Sequence, residues 1–135
     1  GPGIVNPGRV VDKPAVSMDF YTTILNLAGV GHNENDGEDL MPLLTGKGSV
    51  NREELFWHFP HYHGSAWKPG SALRKGDWKL VLFYEDSRTE LFNLAQDPGE
   101  TTDVSAEHPE QTEDLKRILF ERLSETGAKF PVLNK

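Results

Sequence analysis

The sequence predicts an α+β fold: a small antiparallel sheet of about four strands with a long C-terminal helix packed on it, preceded by a short helix and loops. Apolar runs separated by turn residues fill residues 71–100, which is typical of an antiparallel meander. Apolar residues recur at helical spacing near residues 109–126 and over residues 18–28. We therefore divide the chain into residues 1–49, a loop–helix–loop segment, and residues 50–135, which hold the sheet and the long helix.

The first predicted helix covers residues 18–28. Ser17 is placed to cap it, because its hydroxyl can accept a bond from a free amide of the first turn, and Asp19 suits the positive end of the helix dipole. Gly29 is predicted to end the helix. Its side chains are apolar on most sides, so we expect this helix and the apolar patch of residues 40–44 to expose apolar surface and to favour self-association.

Four strands follow, predicted over residues 54–59, 71–74, 78–84 and 89–94. Lys75-Gly76-Asp77 supplies hairpin turn chemistry between the second and third strands. The third strand carries apolar residues on both faces, which indicates a central strand that is covered on both sides.

The last predicted helix spans about residues 109–126. Pro109 suits a first helical turn, and Gly127 fits the position just after the helix end. One stripe of this helix is apolar and is expected to pack on the sheet: Leu115, Ile118, Leu119 and Leu123.

Composition excludes several classes of function. The net charge of −7 argues against a nucleic-acid partner. No run approaches the roughly 18 apolar residues that span a bilayer, so we expect no membrane partner. The absence of cysteine excludes disulfides, thiolate metal sites and a cysteine nucleophile.

The charge is distributed unevenly. Residues 55–84 carry a local balance of +3, from four basic residues and one acidic residue: Lys68, Arg74, Lys75, Lys79 and Asp77. An anionic ligand is therefore expected to favour this segment, and the alternative is an ordinary solvated face.

The candidate binding residues lie in residues 58–68, which we call the histidine loop: His58, His61, Tyr62, His63, Trp67 and Lys68. Imidazole and ammonium groups can donate hydrogen bonds to an anion, and Trp67 can form a platform for a sugar ring, with packing as the alternative. The three histidines also raise the hypothesis of a zinc hydrolase, although Pro60 bends the chain between them and no helix aligns them. For these reasons no metal ligand is assigned. No serine lies in a Gly-x-Ser-x-Gly context, so no catalytic residue is assigned either.

Four phrases, in order along the chain, resemble the sulfatase family: residues 14–25, 36–46, 55–62 and 71–100. The last contains Ser-Ala-Leu-Arg-Lys-Gly-Asp-Trp-Lys-Leu and ends in Asp-Pro-Gly-Glu. The first departs from the family wording at Thr22, where the family usually has proline.

The resemblance implies a family that hydrolyses sulfate esters with a formylglycine and a calcium ion, both in a large N-terminal domain. This sequence has no cysteine and no Ser-x-Pro-Ser-Arg, from which a formylglycine could be made. The resemblance therefore implies that this chain is the C-terminal fragment of a sulfatase and is inactive alone. Residues 1–49 would belong to the larger α/β domain, and residues 50–135 would be the C-terminal subdomain.

The partners that the resemblance implies are the parent's N-terminal catalytic domain and a sulfated small molecule or glycan. In the family the C-terminal subdomain helps to form the wall of the substrate cleft. The resemblance implies that the histidine loop would contribute to that wall here. Resemblance to bacterial members implies a periplasmic or secreted enzyme. The alternative is a non-catalytic binding module for acidic or sulfated glycans.

Overall fold

The computed structural model describes residues 8–31, 35–64 and 68–132. The chain forms two compact units, Gly1–Arg52 and Glu53–Lys135. The assignment of the first segment to a larger domain of a parent protein stays a prediction. None of the helices within the described residues is both long enough and apolar enough to cross a bilayer.

Within its described residues, 8–31 and 35–52, the first unit contains two helices, α1 (Ser17–Ala28) and α2 (Met41–Thr45). The predicted cap at Ser17 is wrong, because Ser17 is already helical and Val16 is the N-cap. The Val16 N–H donates to Asp19 Oδ2 over 2.8 Å, so the carboxylate of the third helical residue fixes the start of the helix. Gly29 ends α1 in the left-handed conformation with φ of 66°, as predicted.

A buried ion pair organises the first unit. Asp19 is fully buried and accepts two bonds from Arg52, Nη1 to Oδ2 at 2.7 Å and Nη2 to Oδ1 at 2.6 Å. The Glu38 N–H donates to Asp19 Oδ1 over 2.9 Å. The Asp19–Arg52 pair therefore ties α1 to the loop before α2 and to the end of the unit, with each carboxylate oxygen satisfied twice.

The Asn35–Gly37 loop lies directly against α1. A Cβ at Gly37 would stand 2.4 Å from the Met18 carbonyl oxygen, so only glycine permits this approach. The Thr22 hydroxyl lies 2.6 Å from Asn35 Oδ1 and 3.1 Å from the Gly37 carbonyl oxygen. Threonine at this position therefore makes a side-chain contact that the proline of the family wording could not make.

The exposed face of α1 is apolar, as expected from the sequence: Phe20, Tyr21, Ile24 and Leu27 are each more than half exposed. In residues 40–44 the same expectation is wrong for Leu40, which is buried, whereas Leu44 is 39% exposed. The chain forms the single-turn helix α2 there, and the Leu40 N–H donates to Thr23 Oγ1 over 2.9 Å, which buries Leu40.

The second unit is a four-stranded antiparallel sheet with one long helix, which confirms the predicted fold class. Its strands lie in the order β1-β2-β3-β4, so β3 is central as predicted. The elements are β1 (Glu54–Phe59), β2 (Gly70–Lys75), β3 (Trp78–Phe83), β4 (Thr89–Asn93) and α3 (Pro109–Glu125).

The two faces of the sheet bury different clusters because side chains alternate along each strand. The face toward α3 buries the larger cluster, and it includes the leucines predicted for the helix stripe: Leu73, Leu80, Leu82, Leu91, Leu115, Leu119 and Leu123. The opposite face buries a smaller cluster of Ala72, Val81 and Phe92. We call the face that carries this smaller cluster the second face.

Candidate functional site

The histidine loop connects β1 to β2 at one end of the sheet. Phe59 pairs with Gly70, and Gly70 pairs with Phe83. β1 therefore ends, β2 begins and β3 ends at this same end of the sheet, which we call the loop edge. The turn between β3 and β4, residues 84–88, therefore lies beside the loop. This antiparallel register brings together side chains that are about 20 residues apart in the sequence.

His58 joins a hydrogen-bonded network at this edge. Its Nδ1 lies 2.7 Å from Ser71 Oγ and 3.1 Å from the Tyr84 hydroxyl, and its Nε2 lies 3.0 Å from the Lys129 carbonyl oxygen. Because a carbonyl oxygen only accepts, Nε2 donates to Lys129, and Nδ1 faces the two hydroxyl groups. Burial raises the pKa of Tyr84, which keeps that hydroxyl protonated as a donor.

The same network holds the segment that follows α3. Phe130 packs edge-on against His58 and Tyr84, with ring centroids 5.9 and 5.5 Å apart, and it stacks on Phe120. His58 therefore connects β1 to the C-terminal segment. A contact between His58 and a ligand requires one of these bonds to open, and such a contact stays a prediction.

His61 and His63 lie beside the ring of Phe59. Their rings meet it edge-to-face, with centroid distances of 5.7 and 6.1 Å. Across residues 8–31, 35–64 and 68–132, no three histidine, aspartate or glutamate side chains are grouped as metal ligands. The histidine cluster that raised the zinc hypothesis is thus divided between the His58 network and the Phe59 ring.

Tyr62 and Lys68 meet at Glu85, which lies in the β3–β4 turn. The Lys68 ammonium stands 2.6 Å from Glu85 Oε2, and the Tyr62 hydroxyl donates to Glu85 Oε1 over 3.2 Å. The hydrogen bond from Lys68 lowers the pKa of Glu85, and the same bond raises the pKa of Lys68. The Glu85 charge raises the pKa of Tyr62. All three side chains are exposed.

Trp67, the predicted platform for a sugar ring, lies outside the described residues. Its role stays a prediction. Two other aromatic side chains near this edge stand open to solvent: Trp57 is 45% exposed and Phe59 is 42% exposed.

A cavity of about 560 Å³ opens beside these two rings on the second face of the sheet. It was not predicted from the sequence. Its wall is mostly apolar, with Lys79 and His63 as its charged or titratable members, and its lining is Trp57, Phe59, His63, Gly70, Ser71, Ala72 and Lys79. Lys79 Nζ lies 2.7 and 2.5 Å from the two carboxylate oxygens of Glu100, so its charge is already paired.

The positive balance predicted for residues 55–84 is largely compensated in the fold. Three of its four basic side chains contact carboxylates that lie outside that window in the sequence: Lys68 with Glu85, Lys75 with Glu54, and Lys79 with Glu100. The local charge is therefore not a free positive patch. An anion at this edge must compete with a carboxylate for the cation that it binds.

The chain matches known proteins along most of its length. Residues 1–129 match the family model described as N-sulphoglucosamine sulphohydrolase, C-terminal. A protein named Sulfatase from Formosa agariphila is 38% identical over 128 residues, which cover 84% of this chain and 23% of that protein. The chain thus spans about a quarter of the length of this relative.

Two solved structures are also similar. BT4656, solved in complex with its substrate D-glucosamine-2-N,6-O-disulfate, has a TM-score of 0.65 and 28% identity, covering 78% of this chain and 23% of that chain. The phosphonate monoester hydrolase from Silicibacter pomeroyi has a TM-score of 0.69 and 28% identity, covering 92% of this chain and 28% of that chain.

The family match extends over both units, since it covers residues 1–129. The chain belongs to the N-sulphoglucosamine sulphohydrolase C-terminal family and is the C-terminal part of a sulfatase.

Proposed function

We propose that this chain serves a sulfatase by shaping the substrate side of the active-site cleft, while an N-terminal catalytic domain supplies the chemistry. The observation that carries the proposal is the family match over residues 1–129, in a chain that has no cysteine and no Ser-x-Pro-Ser-Arg. The formylglycine and the calcium ion are then properties of the N-terminal domain. No side chain of this chain is assigned to hold either group.

The histidine loop is the part of the chain that is suited to meet a sulfated sugar. Its exposed members supply a phenol, an ammonium group and imidazoles at one edge of the sheet: Tyr62, Lys68, His61 and His63. Charged donors make the stronger hydrogen bonds to an anionic oxygen. BT4656 is named with a doubly sulfated glucosamine as its substrate, which supports a sulfated amino sugar as the ligand class here.

Binding by the 135-residue chain tests this role of the loop. The probe is D-glucosamine-2-N,6-O-disulfate, titrated against chain labelled for NMR, with D-glucosamine as the unsulfated comparison. Lys68→Met is expected to weaken binding of the sulfated sugar about fivefold, since one exposed charge contact is lost. Lys116→Met is the matched control, because Lys116 is also a partly exposed lysine paired with a glutamate, on α3. Equal affinity for both sugars, or an equal effect of the two substitutions, would refute the proposed role.

Turnover tests the division of labour. The chain alone is expected to hydrolyse a chromogenic aryl sulfate no faster than the buffer blank, with or without added calcium, because it has no cysteine and none of its serines lies in a Ser-x-Pro-Ser-Arg motif. Hydrolysis above the blank that tracks the purified chain would refute the proposal that the chemistry resides in another domain.

The non-catalytic glycan-binding module is the less favoured function. The family match and the sulfatase relative explain the whole fold, including the first unit, which a free-standing glycan-binding module does not require.

A further inference from the structure

Glu85 occupies the place where an anion would be expected at the histidine loop. A carboxylate and a sulfate group both present oxygens that accept hydrogen bonds, and the two oxygens of Glu85 take one bond from Lys68 and one from Tyr62. These are the cation and the phenol that the proposed function assigns to the sulfated ligand. The carboxylate thus satisfies the donors that the ligand would use.

The turn that carries Glu85 is well fixed. The Phe83 N–H donates to the Arg88 carbonyl oxygen over 2.8 Å, and the Arg88 N–H donates to Asp86 Oδ1 over 3.1 Å. Ser87 adopts the left-handed conformation with φ of 57°, which closes the turn. Glu85 is therefore held at a defined position at the edge of the sheet.

The contact is open to exchange. The Lys68 side chain is 52% exposed and the Glu85 side chain 41% exposed. An ion pair of this exposure is weak because water screens it, so an incoming anion can replace it. The carboxylate can then swing into water without leaving a buried charge behind.

We propose that Glu85 is an internal competitor for the sulfate group, holding Lys68 and Tyr62 until a sulfated ligand displaces it. This inference rests on the proposed function of the histidine loop. Because Glu85 must be displaced first, it lowers the affinity of the site for every anion. Carboxylated or unsulfated sugars do not displace it, whereas a sulfated sugar with further contacts does. It is a specificity-determining residue of the site and takes no part in bond breaking.

The test compares Glu85→Gln with Asp86→Asn in the full 135-residue chain, using D-glucosamine-2-N,6-O-disulfate and inorganic sulfate as probes. Both substitutions remove one negative charge from adjacent positions of the same turn, and glutamine and asparagine keep an acceptor oxygen. Glu85→Gln is expected to tighten binding of both probes about fivefold, the upper value for one exposed ion pair, and Asp86→Asn less than twofold. The gain should shrink as salt is added, since exposed charges are screened.

A double-mutant cycle with Lys68→Met isolates the competition. On the Lys68→Met background, Glu85→Gln is expected to give no further tightening, because the cation that the two anions share is gone. Tightening that persists on that background, or that Asp86→Asn reproduces, would overturn the inference.

The failure of the inference differs from the failure of the proposed function. If the wild-type chain binds the sulfated sugar through Lys68 but Glu85→Gln does not tighten it, only the inference is overturned. If no variant binds, and Lys68→Met changes nothing, the role of the loop and this inference are both overturned. Binding by Glu85→Gln alone supports the inference.

Discussion

The Asp19–Arg52 pair gives a prediction whose size follows from the structure. The hydrogen bonds from Arg52 lower the pKa of Asp19 from 3.8 to about 2, against the opposing effect of burial. At about 1.4 kcal/mol per pKa unit, this difference favours the ionised carboxylate in the folded unit by about 2.5 kcal/mol. Asp19→Asn removes that charge and leaves Arg52, whose side chain is only 9% exposed, without its anion. Breaking a buried pair in this way costs roughly 3–5 kcal/mol.

Hydrogen exchange followed by mass spectrometry measures the effect in each unit separately. A loss of about 3 kcal/mol corresponds to exchange roughly a hundredfold faster in peptides covering α1 and residues 36–45. Peptides covering β2 and β3 are expected to exchange at the wild-type rate. Asp12→Asn is the matched control, because Asp12 is an exposed aspartate of the same unit. If Asp19→Asn speeds exchange no more than Asp12→Asn, the pair does not organise the first unit and the reasoning is refuted.

The pH dependence of the same measurement checks that the ionised form of Asp19 is the one that stabilises the first unit. The folded pKa of Asp19 lies below its ordinary value, so its stabilisation is fully present above about pH 4 and is lost as the pH falls toward 2. The stability difference between wild type and Asp19→Asn is therefore expected to narrow by about 2 kcal/mol between pH 5 and pH 2, where the folded carboxylate is about half protonated. A difference that stays constant from pH 5 to pH 2 would contradict the assigned cause.

Three further predictions concern packing and surface. Gly37→Ala is expected to destabilise the first unit by about 3 kcal/mol, because its Cβ would overlap a backbone oxygen, whereas Gly31→Ala, which meets nothing within 4 Å, is expected to be neutral; equal hydrogen exchange in the two variants would contradict this. Tyr84→Phe is expected to lower the free energy of unfolding of the second unit by about 1 kcal/mol in urea, followed by tryptophan fluorescence, and Tyr62→Phe by less; the reverse order would count against the network. Ile24→Glu is expected to weaken self-association in sedimentation velocity, since Ile24 is 60% exposed on an apolar helix face, and unchanged association would show that this face is not used.

The sheet was predictable from the sequence because its signals are local. Residues 54–59 were predicted as a strand and form β1 without any change of boundary, since aromatic and β-favouring residues end there at Pro60. Gly76 takes a φ of 59°, as a two-residue hairpin turn requires, and this fixes the pairing of β2 with β3. Short turns leave little freedom in register, so consecutive strands become neighbours in the sheet and the strand order is predictable.

The helix cap and the second helix could not be predicted in the same way. Ser17 is a good capping residue by type, but Asp19 bonds both the Val16 N–H and Arg52, and that bond depends on a residue 33 positions away. The α2 helix is a single turn that is stabilised by the burial of Leu40 against α1. In both cases a tertiary contact decides between local alternatives of similar energy.

The charge of the candidate site shows why counting along a sequence window was insufficient. The window of residues 55–84 excluded the carboxylates that the sheet brings back to it, since Glu54 is the first residue of β1 and Glu85 follows β3. Antiparallel pairing places side chains of distant sequence number side by side. A prediction of ligand charge from sequence therefore requires the strand register before the charges are counted.

His58 and the later residues of the histidine loop have different structural roles. Side chains of successive strand residues point to opposite faces, so His58 lies on the side of α3 and Trp57 on the second face. The strand register supports this, because Phe56 and His58 are in line, through β2, with the helix-facing residues Leu80 and Leu82 of β3. A residue held by Ser71, Tyr84 and a backbone carbonyl is suited to fix the base of the loop. The ligand contacts that we propose then fall to residues beyond Pro60, where Tyr62 and Lys68 are exposed and both contact Glu85.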